Sequence, residues 1–309
     1  MLFRSLAENI RTKKISSLEA TENFFQRIDQ LDSKLNSYLT ICRDQAMVDA
    51  QSADAAIQKG STLGPLHGVP ISIKDLEVTK GVVTTMGSTI FRQRVPDMDS
   101  IVVERVKQSG AIILGKTNTP EFGQSGTTEN KLGEPCCNPW NTERTPGGSS
   151  GGAAAALAAG LCTLSMGTDG GGSVRIPASF TGLFGIKPTQ GRVPRFGGYG
   201  RPSANHFSQS GPITRTVADS ALLLQVIAGP DTRDVTSIRQ APPDFSANLE
   251  VGVNGMRLAW SSNLGYAAVD PEVIDITKSA AMAFTAMGAN VEDAKMQLED
   301  PSEIGRAHV

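Results

Sequence analysis

Two clusters of glycine and serine stand out in the sequence, because serine can act as a nucleophile and glycine leaves backbone amides accessible. The clusters are TPGGSSGG at residues 145–152 and GTDGGGSVR at residues 167–175. Upstream, PISIKD places Lys74 in a short alternating run that predicts a strand carrying this lysine inward. One glycine cluster alone is often only a turn. Together these segments offer a nucleophile, a second hydroxyl, a base and backbone donors, the parts of a serine hydrolase.

A second motif, GAIILGKT at residues 110–117, matches the phosphate-binding P-loop pattern letter for letter. The four residues between its glycines form a strand-like apolar run where a P-loop has a loop. Pro120 follows where the phosphate-binding helix would continue. A nucleotide site is therefore disfavoured.

A third motif, GSSGG at residues 148–152, fits the nucleophile elbow of α/β-hydrolases, with Ser150 as the nucleophile. An elbow follows a buried strand, whereas residues 141–146 are polar and end in proline. Its histidine partner would have to be His206, which lies in a predicted loop segment. Histidine-based chemistry is therefore disfavoured.

Apolar periodicity predicts the framework that positions these residues. A capping box formed by Ser16 and Glu19 indicates the start of an early helix. The remaining predicted elements are helices at 44–59, 100–108, 151–159, 216–228 and 271–287, and strands at 71–74, 111–114, 161–166 and 256–260. This alternation predicts an α/β fold with a mixed, largely parallel central sheet covered by helices on both faces.

At the two glycine-serine clusters and the upstream lysine, the sequence resembles the amidase signature family. Lys74 precedes Ser149 by 75 residues and Ser149 precedes Ser173 by 24, spacings like those of the family's Ser-cisSer-Lys triad. Further similar stretches are GPLHGVP, GKTNTPEFG, NPWN and IPASFTGLFGIKPTQGRVP. The resemblance implies that Ser173 is the nucleophile, Ser149 the bridging serine and Lys74 the base. It also implies a cis peptide bond between Gly148 and Ser149.

The residue types suit these roles. A lysine can act as a base only when it is neutral, and burial favours the neutral form by lowering its pKa. Gly170, Gly171 and Gly172 lack side chains, so their N–H groups can approach a substrate and form an oxyanion hole.

Four further residues near the nucleophile are expected to support the site. Asp169 is expected to pair with Arg175 and brace the loop, in preference to Arg175 binding a substrate carboxylate. Ser150 and Thr168 either orient the proton relay or satisfy backbone groups, and the second role is favoured.

Composition limits the classes of partner. A formal net charge of -2 without a basic patch argues against direct nucleic-acid binding, and a small-molecule amide is the expected substrate. No apolar stretch predicts a membrane span or a signal peptide, so a cytoplasmic protein is expected. Four cysteines without a CxxC pair indicate neither zinc nor disulfides, and no metal or cofactor is predicted. A homodimer is compatible with the sequence, which does not fix the oligomeric state.

No repeat or linker divides the chain, so one amidase signature domain is expected over residues 1–303. Residues 304–309, IGRAHV, match one reading frame of a common sequencing adapter. We expect this tail to be non-native and the fold to lack its C-terminal part.

The resemblance implies an amidase that hydrolyses a linear carboxylic amide through an acyl-enzyme. The alternatives are the glutaminase subunit of a tRNA-dependent amidotransferase, and an inactive fragment or scaffold. Thr119 and Pro120 in GKTNTPEFG are more typical of free-standing amidases, whereas the subunit tends toward methionine and aspartate at these positions.

Overall fold

The computed structural model describes residues 3–197 and 207–300, and these form two compact units that divide between Ser246 and Ala247. The first unit contains helices α1 (Phe3–Arg11), α2 (Ser17–Leu31), α3 (Arg43–Gln58), α4 (Ile101–Gln108), α5 (Gly151–Ala158), α6 (Arg175–Thr181) and α7 (Val217–Ile227). Its strands are β1 (Tyr38–Ile41), β2 (Pro70–Lys74), β3 (Ile112–Thr117), β4 (Leu164–Asp169), β5 (Phe184–Gly185) and β6 (Gln209–Thr214).

The six strands form one sheet in the order β1-β3-β2-β4-β6-β5. The three central strands β3, β2 and β4 are parallel, and the outer ladders β1-β3, β4-β6 and β5-β6 are antiparallel. The predicted mixed α/β sheet is confirmed. Its parallel pairing in the described residues is between β3, β2 and β4, which is a smaller share of the sheet than predicted. The antiparallel strand β6 was not predicted, because its Gly211 and Pro212 are typical of a turn.

Two buried hydrophobic clusters cover the two faces of the sheet. In β3, Ile113 belongs to one cluster, and Ile112 and Leu114 belong to the other. Since successive side chains of a strand point to opposite faces, the clusters lie on opposite sides. The first cluster includes residues of α1, α4 and α7, and the second includes residues of α3 and α5. The predicted helical cover on both faces is therefore present.

The same alternation directs the lysine of β2. Ile71 and Ile73 belong to the first cluster, so Ser72 and Lys74 point to the opposite face. Helix α5 lies on that face and begins directly after the serines at 149 and 150. The carboxyl ends of the parallel strands β2 and β4, at Lys74 and Asp169, thus lie near the start of α5.

The second unit contains strands β7 (Arg257–Trp260) and β8 (Asn290–Asp293), which pair in parallel, and helix α8 (Pro271–Ala286). Asp270 caps α8 by accepting from the Glu272 N–H at 2.9 Å. The predicted tail at 304–309 and His206 lie outside the described residues. No helix among the described residues is both long enough and apolar enough to span a membrane.

Candidate active site

Lys74 lies at the centre of the candidate site and is completely buried. Its ammonium nitrogen lies within hydrogen-bond distance of three hydroxyl oxygens: Ser149 Oγ at 2.7 Å, Ser150 Oγ at 2.8 Å and Thr168 Oγ1 at 3.0 Å. A charged lysine donates to all three. A neutral amine has two N–H groups and one lone pair, so it must accept from one of these hydroxyls. The arrangement thus allows a proton to pass from a serine to Lys74.

The surroundings of Lys74 favour its neutral form. Burial lowers the pKa of Lys74 from 10.5 to about 7, because the charged form loses its hydration. The negative charges of Glu77 and Asp169 oppose this change, and the positive charge of Arg195 adds to it. Lys74 is therefore able to accept a proton near neutral pH.

Ser149 is buried and follows a cis peptide bond from Gly148, as the resemblance implies. Two threonines that no sequence motif indicated, Thr127 and Thr128, shape this turn. Thr128 donates from its hydroxyl to the Gly147 carbonyl at 2.8 Å. A side chain at Gly148 would approach the Thr127 carbonyl oxygen to 2.5 Å, so this position requires glycine.

Ser173 lies at the end of the second glycine-serine cluster and is half-buried. Its carbonyl accepts from the Ser150 N–H at 3.1 Å, which brings the two serine segments side by side. In the described part of the chain, the Ser173 hydroxyl makes no hydrogen bond, including to Ser149. Catalytic hydrogen bonds are often long or poorly aligned until substrate binds, so the absence of this bond does not argue against a relay between the two serines.

Asp169 organises the loop that carries the nucleophile candidate. This buried carboxylate accepts from Arg175 Nε at 2.9 Å and Nη2 at 3.0 Å, which is the pairing expected from the sequence. It also accepts from the backbone N–H groups of Gly172 at 2.7 Å and Val174 at 3.2 Å. Burial alone would raise the pKa of Asp169, but these hydrogen bonds outweigh it and lower the pKa.

The three glycines before Ser173 differ in their environment. Gly172 has φ +116°, and a Cβ atom there would lie 2.7 Å from Ile176 Cδ1, so this position favours glycine. Its N–H group already donates to Asp169. Gly170 and Gly171 are exposed, and a Cβ at Gly171 would meet no atom within 4 Å. The N–H groups of these two glycines are thus the accessible donors among the three.

Most of the P-loop-like segment, Ile112–Thr117, forms strand β3, and its lysine binds protein groups. Lys116 is completely buried and donates to the Glu77 carbonyl and, at 2.7 Å, to the Thr79 hydroxyl. Burial lowers the pKa of Lys116 to about 8. No loop is available there to bind phosphate, so the nucleotide interpretation has no structural support.

Ser150 lies at the start of α5, after an irregular segment instead of a strand. Its hydroxyl accepts from Lys74 and donates to the Thr168 carbonyl at 3.2 Å. This geometry does not match a nucleophile elbow.

The cysteines of the described residues, Cys42, Cys136, Cys137 and Cys162, are free thiols. Burial raises the pKa of Cys136 and Cys162, so these two thiols are unsuited to act as nucleophiles. The described ranges hold no group of three or more His, Cys, Asp or Glu residues arranged to hold a metal ion.

Comparison with known proteins assigns the family. The sequence model of the Amidase family matches residues 19–303. The chain is 43% identical over 296 residues to the A subunit of the glutamyl-tRNA(Gln) amidotransferase of Geobacter sp. (strain M21), covering 96% of this chain and 60% of that protein. It is 42% identical over 298 residues to an acylamidase of Rhodococcus erythropolis, covering 96% and 62%.

Among solved structures, a bacterial aryl acylamidase of the amidase signature enzymes superposes with a TM-score of 0.93. The two share 36% sequence identity, over 99% of this chain and 64% of that one. The chain thus spans about 60% of the length of the relatives that it matches. It belongs to the amidase family, and its fold is the amidase signature fold.

Proposed function

We propose that the protein hydrolyses a carboxylic amide to an acid and an amine or ammonia, with Ser173 as nucleophile, Ser149 as relay and Lys74 as base. The observation that carries this proposal is the position of Lys74. Its amine lies 2.7 Å from the Ser149 hydroxyl, fully buried, with a pKa lowered to about 7. An activated serine needs such a neighbouring base.

In the first half of the reaction, Ser173 Oγ attacks the amide carbon and forms a C–O bond. The Ser173 proton passes to Ser149 Oγ as the Ser149 proton passes to Lys74 Nζ. The relay then returns a proton to the amide nitrogen, the C–N bond breaks, and the amine leaves. In the second half, water attacks the acyl-enzyme by the same route and releases the acid. Every proton that leaves a serine is returned, so no co-reactant besides water is needed.

Negative charge develops on the substrate oxygen in both halves of the reaction. The accessible N–H groups of Gly170 and Gly171 are the proposed donors, and Gly172 holds the loop by donating to Asp169. Such donors are worth on the order of 3 kcal/mol each in comparable sites. Ser150 and Thr168 fix the orientation of the Lys74 amine.

The glutaminase subunit of a tRNA-dependent amidotransferase is the second candidate function. It is supported by the identity to the Geobacter protein, which is close to the identity to the acylamidase. The pair Thr119–Pro120 favours the free-standing amidase. Turnover of simple aliphatic and aryl amides, without hydrolysis of glutamine, would support the first function. Hydrolysis of glutamine alone would support the second.

The proposed catalytic residues are tested by labelling with a fluorophosphonate probe, followed by peptide mass mapping of the adduct. We expect an adduct on Ser173 in the wild-type protein, and a labelling rate at least about a hundredfold lower in Lys74→Ala, since a missing general base typically costs that much. Ser165→Ala is the matched control, because Ser165 is a buried serine of β4 that donates to the Ser72 carbonyl.

The outcomes separate the alternatives. An adduct on Ser150 that is unaffected by Lys74→Ala would restore the nucleophile-elbow interpretation. Absence of any adduct in a folded sample would favour the inactive fragment or scaffold. Equal loss of labelling in Lys74→Ala and Ser165→Ala would indicate a general structural effect and would contradict a specific role for Lys74.

A further inference from the structure

Glu77 is a buried carboxylate that the proposed mechanism does not use. Its side chain is only 6% exposed, and it follows Lys74 by three residues in a turn closed by the Glu77 N–H donating to the Lys74 carbonyl at 2.9 Å. The carboxylate accepts from the Ser100 hydroxyl at 2.8 Å and from the Ser210 hydroxyl. Two hydroxyl donors compensate a buried carboxylate only in part, so nearby cations must also contribute.

The partners of Glu77 connect it to the candidate site. Ser210 of β6 lies directly opposite Thr168 of β4 in the antiparallel ladder. Thr168 in turn accepts from the Lys74 amine at 3.0 Å. Glu77 and Lys74 are therefore joined both through the turn and across two adjacent strands, and their relative position is fixed.

The backbone at Glu77 is also fixed. Lys116 donates to the Glu77 carbonyl at the end of the turn and to the Thr79 hydroxyl two residues later. Ser100, which binds the Glu77 carboxylate, also caps α4 by accepting from the Val103 N–H. The Glu77 backbone is thus held by Lys116, and its carboxylate by the residue that caps α4.

The charges around the lysine come from several elements. Glu77 and Asp169 favour the charged form of Lys74, and Arg195 disfavours it. Asp75 raises the pKa of the other buried lysine, Lys116, as do Glu77, Cys42 and Asp99. Asp169 is paired with Arg175, and the charge of Glu77 also acts on buried Arg195 and on Lys116. Of the two carboxylates, Glu77 has the larger effect on the pKa of Lys74.

We propose that Glu77 is a positioning residue that sets the pH range in which Lys74 serves as the base. This inference rests on the proposed function. A negative charge favours the ammonium form of a lysine, so Glu77 opposes the effect of burial and raises the pKa of Lys74. Without it, the pKa falls, and Lys74 becomes neutral at lower pH but is then a weaker base.

The test compares the rate of Ser173 labelling by the fluorophosphonate probe between pH 5.5 and pH 9 in wild type and Glu77→Gln. For the wild type we expect the labelling rate to fall as the pH is lowered, with a midpoint near pH 7. This falling part of the profile is called the acidic limb. In Glu77→Gln the limb should move to lower pH by about one unit, the size expected for loss of one nearby charge. The plateau above pH 8 should fall, because proton acceptance by a weaker base is slower.

Two controls separate charge from structure. Glu77→Asp keeps the charge, so its limb should stay within a few tenths of a unit of the wild type even if the plateau falls. Glu104→Gln removes a partly exposed carboxylate of α4 that pairs with Arg233, and its limb should not move. If Glu77→Gln does not fold, Ser210→Ala serves instead. That variant removes one of the two hydroxyl donors that hold the Glu77 carboxylate in place, and the limb should move in the same direction by a smaller amount.

An unmoved limb in a folded Glu77→Gln protein, with Ser173 labelled normally, would overturn the role of Glu77 and leave the proposed function intact. A matching shift in Glu104→Gln would also overturn it, since the effect would then be general. Absence of Ser173 labelling in the wild type would instead refute the proposed function itself.

Discussion

Replacement of Lys74 by methionine tests the electrostatics of the site through folding stability, independently of any substrate. The pKa of Lys74 is lowered from 10.5 to about 7 by burial. Between these two pH values the unfolded chain binds a proton at this lysine and the folded chain does not, so protonation favours unfolding. The stability associated with Lys74 is present above pH 10.5 and is lost as the pH falls to 7. Methionine has a side chain of similar length and no titratable group.

The size of the effect follows from the same values. One pKa unit corresponds to about 1.4 kcal/mol, so the change in the pKa of Lys74 from 10.5 to about 7 corresponds to about 5 kcal/mol in the free energy of unfolding. Between pH 9 and pH 7 the free energy of unfolding of the wild type should therefore fall by about 2.5 kcal/mol more than that of Lys74→Met. Comparing the two pH values removes the constant cost of the hydrogen bonds to Ser149, Ser150 and Thr168 that the variant lacks. The contribution of Lys116 to the pH dependence is the same in both proteins, so it also cancels in the difference.

The assay is urea unfolding at pH 7 and pH 9, followed by tryptophan fluorescence. The two tryptophans lie in different units, Trp140 in the first and Trp260 in the second. A Trp260→Phe background therefore reports on the unit that contains the site. Lys80→Met, at an exposed lysine, is the control and should follow the wild type. Parallel pH dependence in wild type and Lys74→Met would refute the argument, because Lys74 would then keep its ordinary pKa when folded.

Two further predictions concern the loop before Ser173. Gly172→Ala should lower the free energy of unfolding by about 1 to 3 kcal/mol, because its φ of +116° strains any other residue, whereas Gly171→Ala should leave urea midpoints unchanged. Equal loss of stability in the two variants would contradict the role given to the backbone conformation of Gly172. Arg175→Gln should slow Ser173 acylation about tenfold for neutral and acidic amides alike, because Asp169 loses the guanidinium that braces the loop. Loss confined to acidic amides, measured by comparing kcat/KM, would instead indicate that Arg175 binds a substrate carboxylate.

Local sequence signals predicted much of the framework. The capping box of Ser16 and Glu19 is present at the start of α2, and Ser100 caps α4 as its position suggests. In contrast, α6 contains Pro177 and is only seven residues long, so no periodic pattern develops. Strand β6 holds its place through pairing with β4 and β5, which no local pattern of its residues reveals.

The same distinction applies to the site. Alternation in PISIKD was sufficient to predict that Lys74 points inward, and it is completely buried. The contact between Ser210 and Glu77 joins residues 133 apart and depends on the order of strands in the sheet. The use of the Gly172 N–H by Asp169 depends on the conformation of a single loop. Neither contact has a signature in composition or spacing.

Burial alone does not explain why Lys74 rather than Lys116 is the candidate base, because both side chains are completely buried. Their partners differ. Lys116 donates to the Glu77 backbone carbonyl, which has no proton to give, and to the Thr79 hydroxyl, whose own hydrogen is donated to that same carbonyl at 3.2 Å. Asp75 is the first of several negative groups that raise its pKa. Lys74 is surrounded by three hydroxyls. The Ser150 hydroxyl donates to the Thr168 carbonyl, whereas the hydroxyls of Ser149 and Thr168 are able to donate to the amine once it is neutral. A buried lysine can exchange protons only when its neighbours carry exchangeable hydrogens, and of these three neighbours Ser149 is the closest to the amine.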